Sequence, residues 1–586
     1  MQLPKENNHF FLPSDIHSRL FIQVWYSRVH AASLDTYRMR SLDSLAIAEE
    51  ILGSLGNTNV PLYRTKSLCE EAIQLLGQDY ILKGGWKPQA DRALAALMAA
   101  LKSKDEDTTC PDYLSLAYHL RCLGAEATAD YRGHLIRDLE GALAAGDAGG
   151  IYDLTGRLLT RLVNQGYSLE GLFGLVANVL IRRAPIVDFP GAFANLKSKI
   201  LAEESEYTVI MRLTGPSKPL PEKIGSIDFS QEPFGLTQGA SESAFFQRGR
   251  RTYYAQMKVR AREERSAGEA ARNRTERVMD ALRFELVHDP ISVHDEFVCI
   301  PPGRAAIVYR LPSTVPNPKK NVHPTEFADF LSKLSDLDSS PRFSPEARGK
   351  MQSALRYYRM SLDTSQLQNR LINSWTALEY LARDRTQRSI IEGVRGNAVP
   401  LLVIPYLRVL LTDFRETLDS IGAQIPASVA LRHGASHYRE LSLGQLLETI
   451  RGPHFLQLQA SCSRYPALQI ALYRFQQNVL DNKKTASYVK AHRRNVEWHL
   501  TRLYGARNDI VHSADISTRL TLLCANLEYY VKLCIQEVLE VAVTYKNINS
   551  LEEIFAVQRQ AMTLLVGELE GGKDDLLMLS LAGAVC

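Results

Sequence analysis

Apolar positions in the first 200 residues recur at helical spacing. Leu158, Leu159 and Leu162, then Leu169, Leu172, Leu175 and Val176, follow an i, i+3, i+4 pattern. The stretch 92–101, RALAALMAAL, consists almost wholly of strong helix formers. Glycine breaks at Gly146–Gly150 and Gly166 separate such runs. No period of about 34–45 residues emerges. Residues 1–200 therefore predict an irregular helical region whose role the pattern leaves open.

From about Glu206 the period changes from helix-like to strand-like. Tyr207–Leu213 is β-branched, and a Gly/Pro-rich turn segment separates it from Ile227–Phe229. Tyr253–Val259, Glu296–Ile300 and Ala305–Leu311 are further strand candidates, with a helix predicted over Ser266–Leu286 and a turn at 301–303. Residues 201–312 thus predict an α+β domain. Pro312, Pro316, Pro318 and Pro324 then predict a linker over 313–326, because such proline density suits neither a helix nor a central strand. Helical patterning resumes over 327–586, with segments near 345–388, 401–422, 482–504, 516–544 and 551–570. The expected class is mostly α and multidomain.

Composition removes several function classes. The chain has 586 residues, 69 Lys+Arg against 65 Asp+Glu, and a formal net charge of +4. Nucleic-acid binding through global charge is excluded, so any such contact must come from a local patch. The eight cysteines form no C-x-x-C and no zinc spacing, which predicts reduced, mostly buried thiols; no metal or other cofactor is expected. The start, MQLPKENNHFFLP, has no apolar signal-peptide core, and the run Val399–Leu411 is broken by Pro400, Pro405 and Arg408. Neither suggests a membrane span of about 18–20 apolar residues. The expected location is cytoplasmic.

The sharpest chemical feature is Arg507-Asn508-Asp509-Ile510-Val511-His512. A histidine moves protons near neutral pH, and an arginine stabilises charge on a phosphoryl transition state. On one unbroken helix, residues five apart diverge by about 140°. Convergence on one phosphate therefore predicts a break, or a site completed by a second chain. Gly505 and a helix N-cap at Asn508 offer such a break. The spacing alone is unspecific, since Arg283…His288, Arg432…His437 and Arg494…His499 share it.

Context separates them. The stretch Leu503–Ser513 (LYGARNDIVHS), preceded in the chain by Ser374–Leu381 (SWTALEYL), resembles the paired signature of HEPN domains, specifically the large ApeA-like branch. The resemblance covers about 345–545, is faint over 150–312 through GYSLE and YTVIMRLTG, and leaves 1–150 untouched. It implies a dimerising helical bundle and a metal-independent endoribonuclease in which a 2′-hydroxyl attacks the adjacent phosphate. It implies that His512 is the acid/base residue, that Arg507 stabilises the transition state, and that Asn508 orients phosphate or His512. Glu379 would position Arg507 or His512. Toxin or anti-phage roles, with a phage-derived or protein trigger, are common in such proteins. The 128-position separation of Glu379 and Arg507 exceeds what a minimal bundle needs, so an insertion is expected over about 390–480.

A bland reading accompanies each sharp one. Glu379 suits a surface pair with Arg383 at i+4, and Trp375 suits a core anchor. Lys483, Lys484, Lys490, Arg493 and Arg494, with Tyr488 and Trp498 interleaved, suit an RNA backbone track or a solvated face. Arg248–Arg277 holds ten Lys/Arg against four Glu, and here ordinary helix pairing is the favoured reading. The P-loop-like GELEGGK at 567–573 lacks the Ser/Thr, and HGASH at 433–437 lacks the glutamate of a zinc protease. The competing function is a non-catalytic HEPN-like dimerisation scaffold whose N-terminal region binds a protein partner.

Overall fold

The computed structural model is mostly α-helical, with one antiparallel sheet. It describes the chain apart from residues 6–10, 58–59, 104–109, 182–187, 217, 235–244, 247–250, 287–290, 312–314, 318–323, 514–519 and 583–586. For Arg38, His512 and Ser513 it describes the backbone only.

The sheet forms where alternation predicts it. β1 (Ser205–Thr214) lies between β4 (Thr252–Ala261) and β5 (Ser292–Ile300). The order is β2-β3-β4-β1-β5-β6, where β2 is Lys223–Ile224, β3 is Ile227–Ser230 and β6 is Ile307–Arg310. β1 pairs along its whole length with β4, from Ser205 opposite Ala261 to Thr214 opposite Thr252. Period-2 alternation sends Val209, Met211 and Leu213 to one face and Ile210 to the other. The first face is covered by the helix Glu264–Glu285 through Ala267, Ala271 and Met279. Gly268 makes that approach feasible, since a Cβ there would sit 2.2 Å from Phe297 Cζ. Phe245, Phe246 and Tyr254 pack on the second face. The helix is capped by Glu263, which accepts from the backbone N–H of Ser266 at 2.7 Å.

The domain boundaries differ from the sequence expectation. Met1–Thr160 and Pro316–Cys586 form one compact unit, and Arg161–Arg182 with Asp188–Val315 forms the other. The residues expected to stand apart as a 1–200 region are thus shared between the two. Periodicity predicts elements but carries no information on long-range contact, which explains the difference. Within the larger unit, Gln23 Nε2 donates to the carbonyl of Arg464, and Asn317 N–H donates to Ala31.

The proline-rich linker also ends earlier than expected. A helix begins at Pro324, where a missing N–H costs nothing because first-turn donors have no intrahelical acceptor. The expected 345–388 segment divides into Pro345–Asp363 and Leu367–Ala382. Residues 390–420 contain an 18-residue window apolar and long enough to cross a membrane, but 72% of that window is buried inside the protein. Pro405 divides it into the helices Ile390–Val403 and Tyr406–Ser420. The stretch 390–480, expected as an insertion, is itself helical. His433 ends a helix at Gly434, whose φ of 65° turns the chain away, so His433 and His437 share no helical face.

Candidate functional site

The RNDIVH motif lies near the C-terminal end of a 32-residue helix, Asn482–Ser513. This corrects the expected break at Gly505 and the expected N-cap at Asn508: the backbone is helical through both. One mid-helix glycine costs only about 1 kcal/mol relative to alanine, and tertiary packing along the helix outweighs that.

Three faces of this helix have different environments. Ala486, Val489, Val496, Leu500, Leu503 and Ala506 form a buried stripe with spacings of three, four and seven. A second face, Trp498-Arg502-Gly505-Asp509, meets side chains from the N-terminal helices Ser44–Leu55 and Leu62–Gly77. Trp498 Nε1 donates to Glu70 at 3.0 Å, and Arg502 is held between Glu71 and Glu50. Arg64 Nη1 and Nη2 donate to the two carboxylate oxygens of Asp509 at 2.9 and 2.7 Å. Burial alone would lower the Arg64 guanidinium, but its bonds to Asp509 outweigh that and hold it above its usual range. Gly505 leaves room for the Arg64 guanidinium, since a Cβ there would lie 2.5 Å from Arg64 Cζ and push it aside. Its role in the sequence reading as a helix breaker is replaced by this packing role.

The third face is solvated and basic. Lys483, Lys484, Lys490, Arg493 and Arg494 are all exposed. Lys490 pairs with Glu570 and Arg493 pairs with Glu497 at 2.9 Å. Among the described residues, Lys483, Lys484 and Arg494 have no carboxylate at ion-pair distance. Arg494 lies about 21 Å along the helix axis from Asn508, at 1.5 Å per residue.

The two signature segments, far apart in sequence, meet through aromatic packing. Trp375 is fully buried, and its ring centroid lies 5.2 Å from that of Tyr504, one turn before Asn508. The core-anchor reading of Trp375 therefore holds. Arg507 is half-buried and donates from Nη1 to Asn508 Oδ1 at 2.9 Å, while its Nε is enclosed without a partner. Its position continues the buried stripe from Leu503 by one turn, which accounts for the enclosure. Asn508 and His512 are four residues apart on the helix and share a face. The His512 side chain lies outside the described residues. On this continuous helix backbone, positions 507 and 512 lie about 140° apart around the axis.

Glu379 pairs with Arg383 at 3.0 Å, at i+4 on its own helix. That is the i+4 surface pair of the bland reading, and among the described residues no hydrogen bond or ion pair joins Glu379 to Arg507. Of the other R-x4-H pairs, Arg494 and His499 both lie on the long helix, but His499 is structural. Its Nδ1 bonds Tyr530 Oη at 3.0 Å and its Nε2 is enclosed without a partner. Desolvation, assisted by the nearby Arg502 charge, pushes His499 down to about 3. His288 lies outside the described residues.

Part of the Arg248–Arg277 patch is paired. Arg272 bridges Glu276 and Asp295 at 3.0 and 2.9 Å, and Lys258 pairs with Glu206 at 3.0 Å. Residues 567–573 begin in the last turn of the helix Leu551–Glu570, and no strand precedes them, as expected for a false P-loop. Among the described residues no cluster of three His, Cys, Asp or Glu side chains suits a metal ion. The seven described cysteines form no disulfide.

Sequence pattern missed the Arg64–Asp509 pair. Its partners are 445 positions apart, and nothing local marks either one. Comparison of the chain with family models, curated proteins and solved structures finds no match in any of the three.

Proposed function

We propose that this protein is a metal-independent endoribonuclease of the HEPN type, acting as a homodimer in an anti-phage or toxin role. The carrying observation is that Trp375 packs on Tyr504, which brings the WTALE helix against the helix bearing Arg507, Asn508 and His512. In this reading the RNA 2′-hydroxyl loses its proton, and its oxygen bonds to phosphorus. The bond from phosphorus to the 5′ oxygen breaks, and that oxygen is protonated. Proton count balances with one base and one acid, which two copies of His512 supply in a dimer. Arg507 stabilises charge on the phosphoryl oxygens, and Asn508 orients it through their mutual hydrogen bond. The second chain also answers the divergence of Arg507 and His512 on one helix. Glu379, on the WTALE helix, pairs with Arg383.

The enclosed Nε of Arg507 favours a second reading, a HEPN-like dimerisation scaffold without catalysis whose N-terminal region binds a protein partner. The separating experiment measures RNA cleavage and growth arrest on expression for the wild type, Arg507→Ala and His512→Ala. The nuclease reading expects loss in both variants with dimerisation retained. Equal behaviour of all three would remove the catalytic assignment.

A further inference from the structure

A cavity of about 370 Å³ opens within the larger unit, away from the RNDIVH segment. Its size falls in the range of small-ligand sites. Three arginines line it, Arg28, Arg40 and Arg474, against one lining carboxylate, Asp35, which accepts from Ser27. Arg474 is anchored by Asp153 at 2.6 and 2.9 Å. Among the described residues, neither Arg28 nor Arg40 has a carboxylate at ion-pair distance. The wall thus carries excess positive charge that an anion would balance.

Two of the guanidinium groups are fixed in advance. Arg28 Cζ lies 4.9 Å and Arg474 Cζ 4.5 Å from the centroid of the same ring, Tyr152. Stacking on a ring occupies a guanidinium face and leaves edge N–H donors for planar or tetrahedral anions. Gly156 completes the seat of Arg28: a Cβ there would fall 1.5 Å from Arg28 Nη1. Met39, Ala471 and Asn478 also line the cavity, and its aromatic side includes Phe414 with Phe475 and Tyr488, the last two in edge-to-face contact at 6.4 Å. Positioned guanidinium groups recognise phosphate, and aromatic walls recognise a flat ring.

We propose that this cavity is a binding site for a mononucleotide, its phosphates on Arg28, Arg40 and Arg474 and its base against the aromatic wall. The site stands independently of the ribonuclease reading. The test is calorimetric titration of the full chain with ATP, GTP, AMP and GMP, with inorganic phosphate and a short RNA as comparison probes. At least one nucleotide should saturate one site per chain, at a Kd tighter than about 100 μM. Arg28→Gln should weaken that nucleotide about tenfold or more, the effect of one lost charge-assisted hydrogen bond. Gly156→Ala should do the same by displacing Arg28, and it suits a helix, so a retained Tm would show that folding is intact. The proposal is overturned if no nucleotide saturates by about 1 mM. It is also overturned if inorganic phosphate binds as tightly, if only RNA binds, or if both variants bind like the wild type.

Discussion

Arg64 and Asp509 are 445 residues apart and form a two-pronged ion pair, at 2.9 and 2.7 Å, directly over the glycine of the motif helix. The pair joins the N-terminal helix Leu62–Gly77 to the segment bearing Arg507 and His512. Both side chains are partly solvated, so solvent screens part of its strength. Arg64→Ala should cost about 1–2 kcal/mol in urea unfolding, and Asp509→Ala a similar amount. The double variant should cost less than the sum. Full additivity would mean that the two side chains do not interact in solution.

Gly505→Ala should have opposite signs in two backgrounds. In the wild type the new methyl displaces Arg64 from Asp509, so the variant should lower the urea midpoint. With Arg64→Ala already present, the collision is gone and the helix gains up to about 1 kcal/mol from alanine. The midpoint should then rise relative to Arg64→Ala alone. A stabilising Gly505→Ala in the wild type would contradict the close approach.

His499 makes stability depend on pH. Its folded value of about 3 lies below its ordinary unfolded value near 6.5. Below about pH 6.5 the unfolded chain takes up a proton that the folded chain refuses. Its contribution is therefore complete above about pH 6.5 and is lost as pH falls toward 3, by up to about 1.4 kcal/mol per unit. His499→Gln should flatten the loss between pH 6.5 and 5 by about one proton's worth, read from urea midpoints at successive pH values. An unchanged slope would show that the ring is protonated in the fold.

The basic face tests RNA contact without reference to cleavage. Lys483→Gln, Lys484→Gln and Arg494→Gln should each weaken single-stranded RNA binding across sequences. Each should reduce the slope of log K against log salt by about 0.7. Binding that keeps its full salt dependence in the triple variant would place the phosphate contacts elsewhere.

Local chemistry was legible in this chain because it depends on neighbours. The strand-like runs Tyr207–Leu213, Tyr253–Val259 and Glu296–Ile300 predicted β1, β4 and part of β5, since period-2 burial is written in consecutive residues. Trp375 was readable as a core anchor, and Glu379 with Arg383 as an i+4 pair, for the same reason. The R-N-x3-H segment and its order after WTALE could likewise be read without coordinates.

Only the tertiary structure decided what those segments meet. Gly505 looked like a break because glycine weakens an isolated helix, yet Arg64 needs the space that its missing Cβ leaves. The N-terminal helices looked separate because periodicity stops at the end of each element, yet Met1–Thr160 shares a unit with the motif helix. Arg507 looked free to meet phosphate, yet it continues a buried stripe and its Nε is enclosed. The cavity at Arg28, Arg40 and Arg474 draws its charges from three separate places in the sequence. Sequence fixes the repeat of each helix and strand through local sterics and burial. Which faces come together is settled by long-range packing, and that packing set the surroundings of Arg507, Asn508 and Asp509.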